Sequence, residues 1–190
     1  MISGSNSLLP QITSTFMSIN NSQIPFLPSV KYLGVTLDSS LTLQSHISNI
    51  CRSSFLALKR ISTIRPFLSD HSTAILINAS VTSRLDYCNS ILYGISVNQL
   101  SRLQRIQNHA ARIVLKKRKR DHITPLLMKL HWLPLSFRIQ YKLAVLSYGH
   151  FENKLPPYLS TSLSIYQPSR TLRSSSKKLL IVPPPNLVFR

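Results

Sequence analysis

Acidic residues are nearly missing from this chain. Among 190 residues there are five: Asp38, Asp70, Asp86, Asp121 and Glu152. No two lie within ten residues of each other, so no local carboxylate pair is available to hold a magnesium ion or to share acid–base work. Glycine is almost as scarce. Its four copies are far apart, which leaves no phosphate-cradling glycine loop and no GxSxG nucleophile elbow. The two cysteines, Cys51 and Cys88, form no CxxC and belong to no Cys/His cluster with zinc-ligand spacing. Both fall on apolar faces of predicted helices and read as reduced core thiols. Six histidines stand singly at 46, 71, 109, 122, 131 and 150, with no HExxH or HxD among them. No uncharged apolar run reaches membrane-spanning length, and the N-terminus lacks the basic start of a secretory signal. The chain is therefore expected inside the cell, nuclear or cytoplasmic, with no membrane, metal, cofactor or small-molecule substrate.

Positive charge is what the chain has. Lys and Arg number 23 and the formal net charge is +18, an excess that points to a polyanionic partner. Hydrophobic residues make up 43%, enough to build a core. Most of the twelve prolines fall outside the periodic stretches, which favours helices joined by stiff loops.

The charge concentrates in LSRLQRIQNHAARIVLKKRKR, residues 100–120. Read as a helix, this stretch places Leu100, Leu103, Ile106, Ala110, Ile113 and Val114 on one face. A second stripe, about 120° around the axis, carries Arg102, Arg105, His109, Arg112 and Lys116. The helix then runs into Lys116, Lys117, Arg118, Lys119 and Arg120. The stripe alone would serve equally well as a solvated face. Five adjacent cations repel one another, however, and a phosphate lattice relieves that repulsion while releasing counterions. These nine residues are the candidate nucleic-acid contacts.

Around this helix the chain divides into four parts. Residues 1–30 carry no charge, and Phe16–Ile19 and Ile24–Phe26 flank Asn20-Asn21 as two short strands about a tight turn. Lys31–Asp38 is expected as a third strand, giving a small β remnant over 1–40. From Thr42 the period becomes helical, with Leu43, Ile47, Ile50, Ser54, Leu58 and Ile61 on one stripe and Arg65-Pro66 as the stop. Ser69 or Asp70 caps a second helix whose stripe is Ile77, Val81, Leu85, Cys88 and Leu92, closed by Gly94. With the basic helix from about Val97 to Lys117, these form a three-helix antiparallel bundle over 41–120. Thr124 capping and Pro125 at the first helical position open a helical connector over 121–163, and Pro134 starts a helix to about His150. His131 and Trp132 read as packing at the hinge between these helices. Residues 164–190 form an irregular basic tail. The fold class is mainly α.

Six ordered blocks also carry a resemblance. They are KYLGVTLDSSLTLQSHI (31–47), VTSRLDYCNSILYG (81–94), LQRIQNHAARIV (103–114), HITPLLMKLHWLPLSFRIQYK (122–142), PPYL (156–159) and PSRTLRSSS (168–176). In order and spacing, over roughly residues 4–182, they resemble the post-palm region of LINE-type, non-LTR retrotransposon reverse transcriptases. The resemblance implies that the hairpin and KYLG strand are the last piece of a palm and that 42–117 is a thumb holding a template–primer duplex. Arg102, Arg105, Arg112 and Lys116–Arg120 would then meet the RNA–DNA backbone, positioning it without reading sequence. The family's aromatic-Ala-Asp-Asp turn does not occur in this chain, and neither do its endonuclease and fingers. The expectation is a truncated copy that keeps a nucleic-acid grip and lacks polymerase chemistry, magnesium being needed only by the intact polymerase.

Two rival readings stand beside it. One is a stand-alone basic nucleic-acid-binding protein with Lys116–Arg120 as a nuclear-import signal. In the other, the KYLGVTLD-to-helix block resembles a segment classed with the N-terminal region of AlkB-type oxygenase/methyltransferase proteins. The HxD…H iron triad and the glycine-rich methyl-donor loop of that reading are absent.

Overall fold

The structure is a computed structural model, and it describes residues 16–20, 22–161, 163–168, 170, 173 and 179–181. It divides into two units, Met1–Ile139 and Gln140–Arg190. The mainly helical architecture expected from the sequence is observed, preceded by strands.

The strands are β1 (Phe16–Ile19), β2 (Ser22–Pro25), β3 (Ser29–Tyr32) and β4 (Val35–Asp38). They form two separate antiparallel hairpins, β1–β2 and β3–β4. This corrects the expected third strand. Lys31–Asp38 folds back on its predecessor because Leu33 and Gly34 both take left-handed backbone, with φ of 45° and 84°, as a two-residue hairpin turn of the primed type requires. Tyr87 packs against this turn. The Tyr87 hydroxyl donates to the Leu33 carbonyl at 2.6 Å, and a Cβ on Gly34 would sit 3.4 Å from the Tyr87 ring.

The first long helix, α1 (Gln44–Ile64), buries Ile47, Ile50, Ser54, Leu58 and Ile61, and Leu43 is buried just before it. This is the stripe read from the sequence. Asp38 holds its start: one carboxylate oxygen accepts from the Thr42 N–H at 2.9 Å and the other from the Leu43 N–H at 2.8 Å. Burial acts to raise the Asp38 pKa, but the bonds from Thr42 and Leu43 outweigh it and leave the carboxyl below its ordinary value.

The second helix is broken, which corrects the single helix expected over this stretch. Ser69 caps α2 (Asp70–Ile77) by accepting from the Ser72 N–H. A π turn over Asn78–Thr82 leads to α3 (Ser83–Asp86), and a 3-10 turn follows at Asn89–Leu92. Ile77, Val81, Leu85 and Leu92 are still buried. Cys88 takes left-handed backbone with φ 51° and is exposed, so only Cys51 is a core thiol.

The third long helix, α4 (Val97–Val114), opens with a capping box between Ser96 and Gln99. Gln99 donates from Nε2 to the Thr42 carbonyl near the start of α1, and Arg65 at the end of α1 bonds the end of α4. These two helices therefore run in the same direction, with the α2–α3 segment returning between them. Leu103, Ile106, Ala110 and Val114 are buried on α4, and full burial of each Leu or Ile contributes about 1.5–3 kcal/mol.

Two helices of more than one turn lie C-terminal to α4. One is α5 (Ile123–Lys129), capped at His122 and not at Thr124, so Pro125 is its third residue. The other, α6 (Leu135–Phe151), begins where expected and buries Leu135 and Ile139. Trp132 packs half-buried against the core. In the second unit α7 (Pro157–Ser160) is a single turn, and an isolated antiparallel bridge joins Ile165 to Leu180. Most of the PSRTLRSSS block lies outside the described residues.

Candidate nucleic-acid interface

The candidate surface is built on the C-terminal end of α4, and what holds that end is a buried arginine. Arg65 is 6% exposed. Its Nε donates to the Ile113 carbonyl at 2.8 Å and Nη2 to the Val114 carbonyl at 2.6 Å. Nη1 donates to the Leu68 carbonyl at 2.6 Å, and Nη2 also meets Asp70. Carbonyls at a helix C-terminus have no partner within the helix and carry the negative end of its dipole. Arg65 satisfies two of them and places a positive charge against that end.

The chain then leaves the helix sharply. Lys116 takes left-handed backbone with φ 52°. The Lys117 N–H returns to the Arg112 carbonyl at 2.9 Å and the Lys116 N–H to the Ile113 carbonyl at 3.3 Å, which is the Schellman arrangement. The helix therefore ends at Val114 and does not continue through Lys117 as the sequence period implies. Lys116–Arg120 form a turn instead. Asp121 fixes it, its carboxylate accepting from the Arg118 N–H at 2.6 Å while its carbonyl accepts from Arg112 Nη2 at 3.2 Å.

The turn brings separate cations to one place. Arg105, His109, Arg112, Lys116, Lys117 and Lys119 line a cleft of about 700 Å³, closed on the α1 side by Phe55, Ser62 and Arg65. No acidic residue lines it. The ion pairs among the described residues join Arg65 to Asp70, Arg138 to Asp86 and Lys154 to Glu152. None involves a cation between Arg102 and Arg120, so of the cleft's charges only Arg65 is paired with an acid. His109 is exposed, and partial desolvation, then the neighbouring Arg112 charge, lower its pKa from the ordinary value.

The nine candidates do not share one environment. Arg102 is half-buried and donates from Nη2 to the Ser48 hydroxyl on α1 at 3.2 Å. Arg118 and Arg120 are exposed on the turn but do not line the cleft. Arg112 is half-buried, and its Nε is sealed from solvent without an acceptor.

Four contributors are not singled out by the sequence. Arg65 reads only as part of a helix stop, since nothing local marks a bond to residues 48 and 49 positions away. Phe55 does leave a signal, being an aromatic residue off the buried stripe of α1. Gln104 and Gln107 brace α4 from its other side. The Gln104 Oε1 accepts from the Leu135 N–H at 2.9 Å, and Gln107 Nε2 donates to the Leu133 carbonyl at 2.8 Å.

Among the described residues no cluster of His, Cys, Asp and Glu could hold a metal ion, and no helix is long and apolar enough to cross a membrane. Compared with family models, with curated proteins and with solved structures, the chain matches none.

Proposed function

We propose that the protein binds the sugar–phosphate backbone of an RNA–DNA or other duplex without sequence preference, through the basic cleft at the end of α4. The observation that carries this reading is the gathering of Arg105, His109, Arg112, Lys116, Lys117 and Lys119 about one cleft with no acid in its lining. Phosphates relieve the mutual repulsion of the five cations of this set, Arg105, Arg112, Lys116, Lys117 and Lys119, and counterion release supplies the free energy. The six sequence blocks favour assigning this grip to the post-palm, thumb-like region of a non-LTR reverse transcriptase. With no aromatic-Ala-Asp-Asp turn in its sequence, the chain itself performs no nucleotide transfer under this reading.

The test is a salt titration of duplex binding. Replacing Lys116–Arg120 with glutamine is expected to weaken binding and to flatten the log–log salt slope by roughly 0.9 for each phosphate no longer neutralised. An unchanged slope removes these residues from the interface. Purified protein is also expected to extend no primer with any divalent metal. Extension that disappears on mutation of Asp38 and Asp86 would restore an enzymatic reading.

A further inference from the structure

The cleft contains more than a backbone-binding surface needs. Phe55 projects from α1 with 45% of its surface exposed, and its ring lies 6.2 Å from that of His109, tilted by 49°. An exposed aromatic ring gains nothing from phosphates, which need only charge and hydrogen-bond donors. It does offer a face for a base. Asn108 and Arg105 lie beside it in the lining, with donors able to meet base edges. The volume of about 700 Å³ falls within the range of small-ligand pockets, roughly 300–1,000 Å³, so the site has the depth for a nucleotide. Cations interleaved with aromatic rings are the arrangement by which unpaired nucleic acid is held, because every base has a π face. A base inside a continuous duplex is already stacked and cannot enter.

We propose that the cleft takes one unpaired base at the end of a duplex, stacked on the exposed face of Phe55, whose ring His109 supports from beside it, while Arg105, Arg112 and Lys116 hold the flanking phosphates. This deepens the reading above and rests on it: the duplex backbone supplies general affinity, and the overhanging base supplies preference for a junction over an uninterrupted helix.

The experiment compares three labelled duplexes of equal charge per phosphate: blunt, with a short single-stranded overhang, and with the same overhang made abasic. The full chain is used, with Phe55→Leu and Phe55→Trp as variants and far-ultraviolet circular dichroism to confirm the helices. Wild-type protein should bind the overhang duplex about tenfold more tightly than the other two, the size expected for one stacked base. Phe55→Leu should abolish the difference between the overhang duplex and the other two. Phe55→Trp should keep it. A wild-type protein indifferent to the overhang overturns the proposal, and so does a preference that survives Phe55→Leu or an equal preference for the abasic overhang. Loss of affinity for all three duplexes in Phe55→Leu would assign the ring to the fold alone and overturn it too. If the wild-type protein binds no duplex at all, the backbone reading fails with it. Blunt-duplex binding without overhang preference sinks only the inference about the base.

Discussion

Arg65 and Ile113 lie 48 residues apart and are joined by a 2.8 Å hydrogen bond from Nε to the helix-end carbonyl. Through that bond and its companion to Val114, the end of α1 fixes the place where the basic turn leaves α4.

The two sides of the Arg65 cluster should differ in cost. The Arg65 side chain is 7% exposed and that of Asp70 65%. Arg65→Met removes the guanidinium donors of the Ile113, Val114 and Leu68 carbonyls and is expected to cost about 3 kcal/mol. Asp70→Asn loosens a largely solvated partner and should cost under about 1 kcal/mol. Urea unfolding of both variants measures this, and equal costs would mean that the ion pair, not the carbonyl bonds, secures the helix end.

Ser54 is fully buried on α1, and its hydroxyl has no hydrogen-bond partner among the described residues. Ser54→Ala removes an orphaned polar group and adds the better helix former, so stability should rise by about 1 kcal/mol. A fall in the unfolding midpoint would show that the hydroxyl does have a partner.

At Lys116 the backbone is left-handed, which costs a side-chain-bearing residue roughly 1–2 kcal/mol. Lys116→Gly should therefore be about 1 kcal/mol more stable than Lys116→Ala. Both variants lose the same charge, so the difference between them isolates the backbone. If the two unfold together, the turn does not hold its left-handed residue in solution.

The buried His46 should make stability fall with acid. Its Nδ1 accepts from the Thr36 N–H at 3.4 Å, and burial lowers its pKa below the ordinary 6.5. On acidification the unfolded chain takes up this proton before the folded one does. Stability is thus intact above about pH 6.5 and declines below it, towards the lower folded-state value. Unfolding free energies from about pH 8 to about pH 5 should show this decline, and His46→Gln should lessen it. A wild-type profile that stays flat below the ordinary histidine pKa would contradict the assignment.

Helix faces are legible in the sequence because burial imposes a period on adjacent residues. The α1 stripe from Leu43 to Ile61 and the α4 face from Leu103 to Val114 both follow that period into the core. Helix ends are less legible. Glycine usually marks the left-handed residue after a helix, but here Lys116, His131 and Asn153 occupy those positions, and the basic run after Val114 reads as continued helix. The break in the second helix is hidden for a related reason, since a π turn shifts the register without changing which residues are apolar. The cations of the cleft can be named from the chain. Their convergence cannot, because it depends on Arg65, Asp121 and the turn at Lys116.

The five acids also have a consequence together. Asp38 holds the start of α1, Asp70 meets Arg65, Asp86 meets Arg138, Asp121 fixes the basic turn and Glu152 pairs with Lys154. Among the described residues four of the five carboxylates thus sit at joints of the fold, while the lysines of the turn after α4 face outward. Amidating Asp38 and Asp121 would attack the scaffold itself, whereas acetylating the exposed lysines of the turn would strip its outer coat and leave the frame standing.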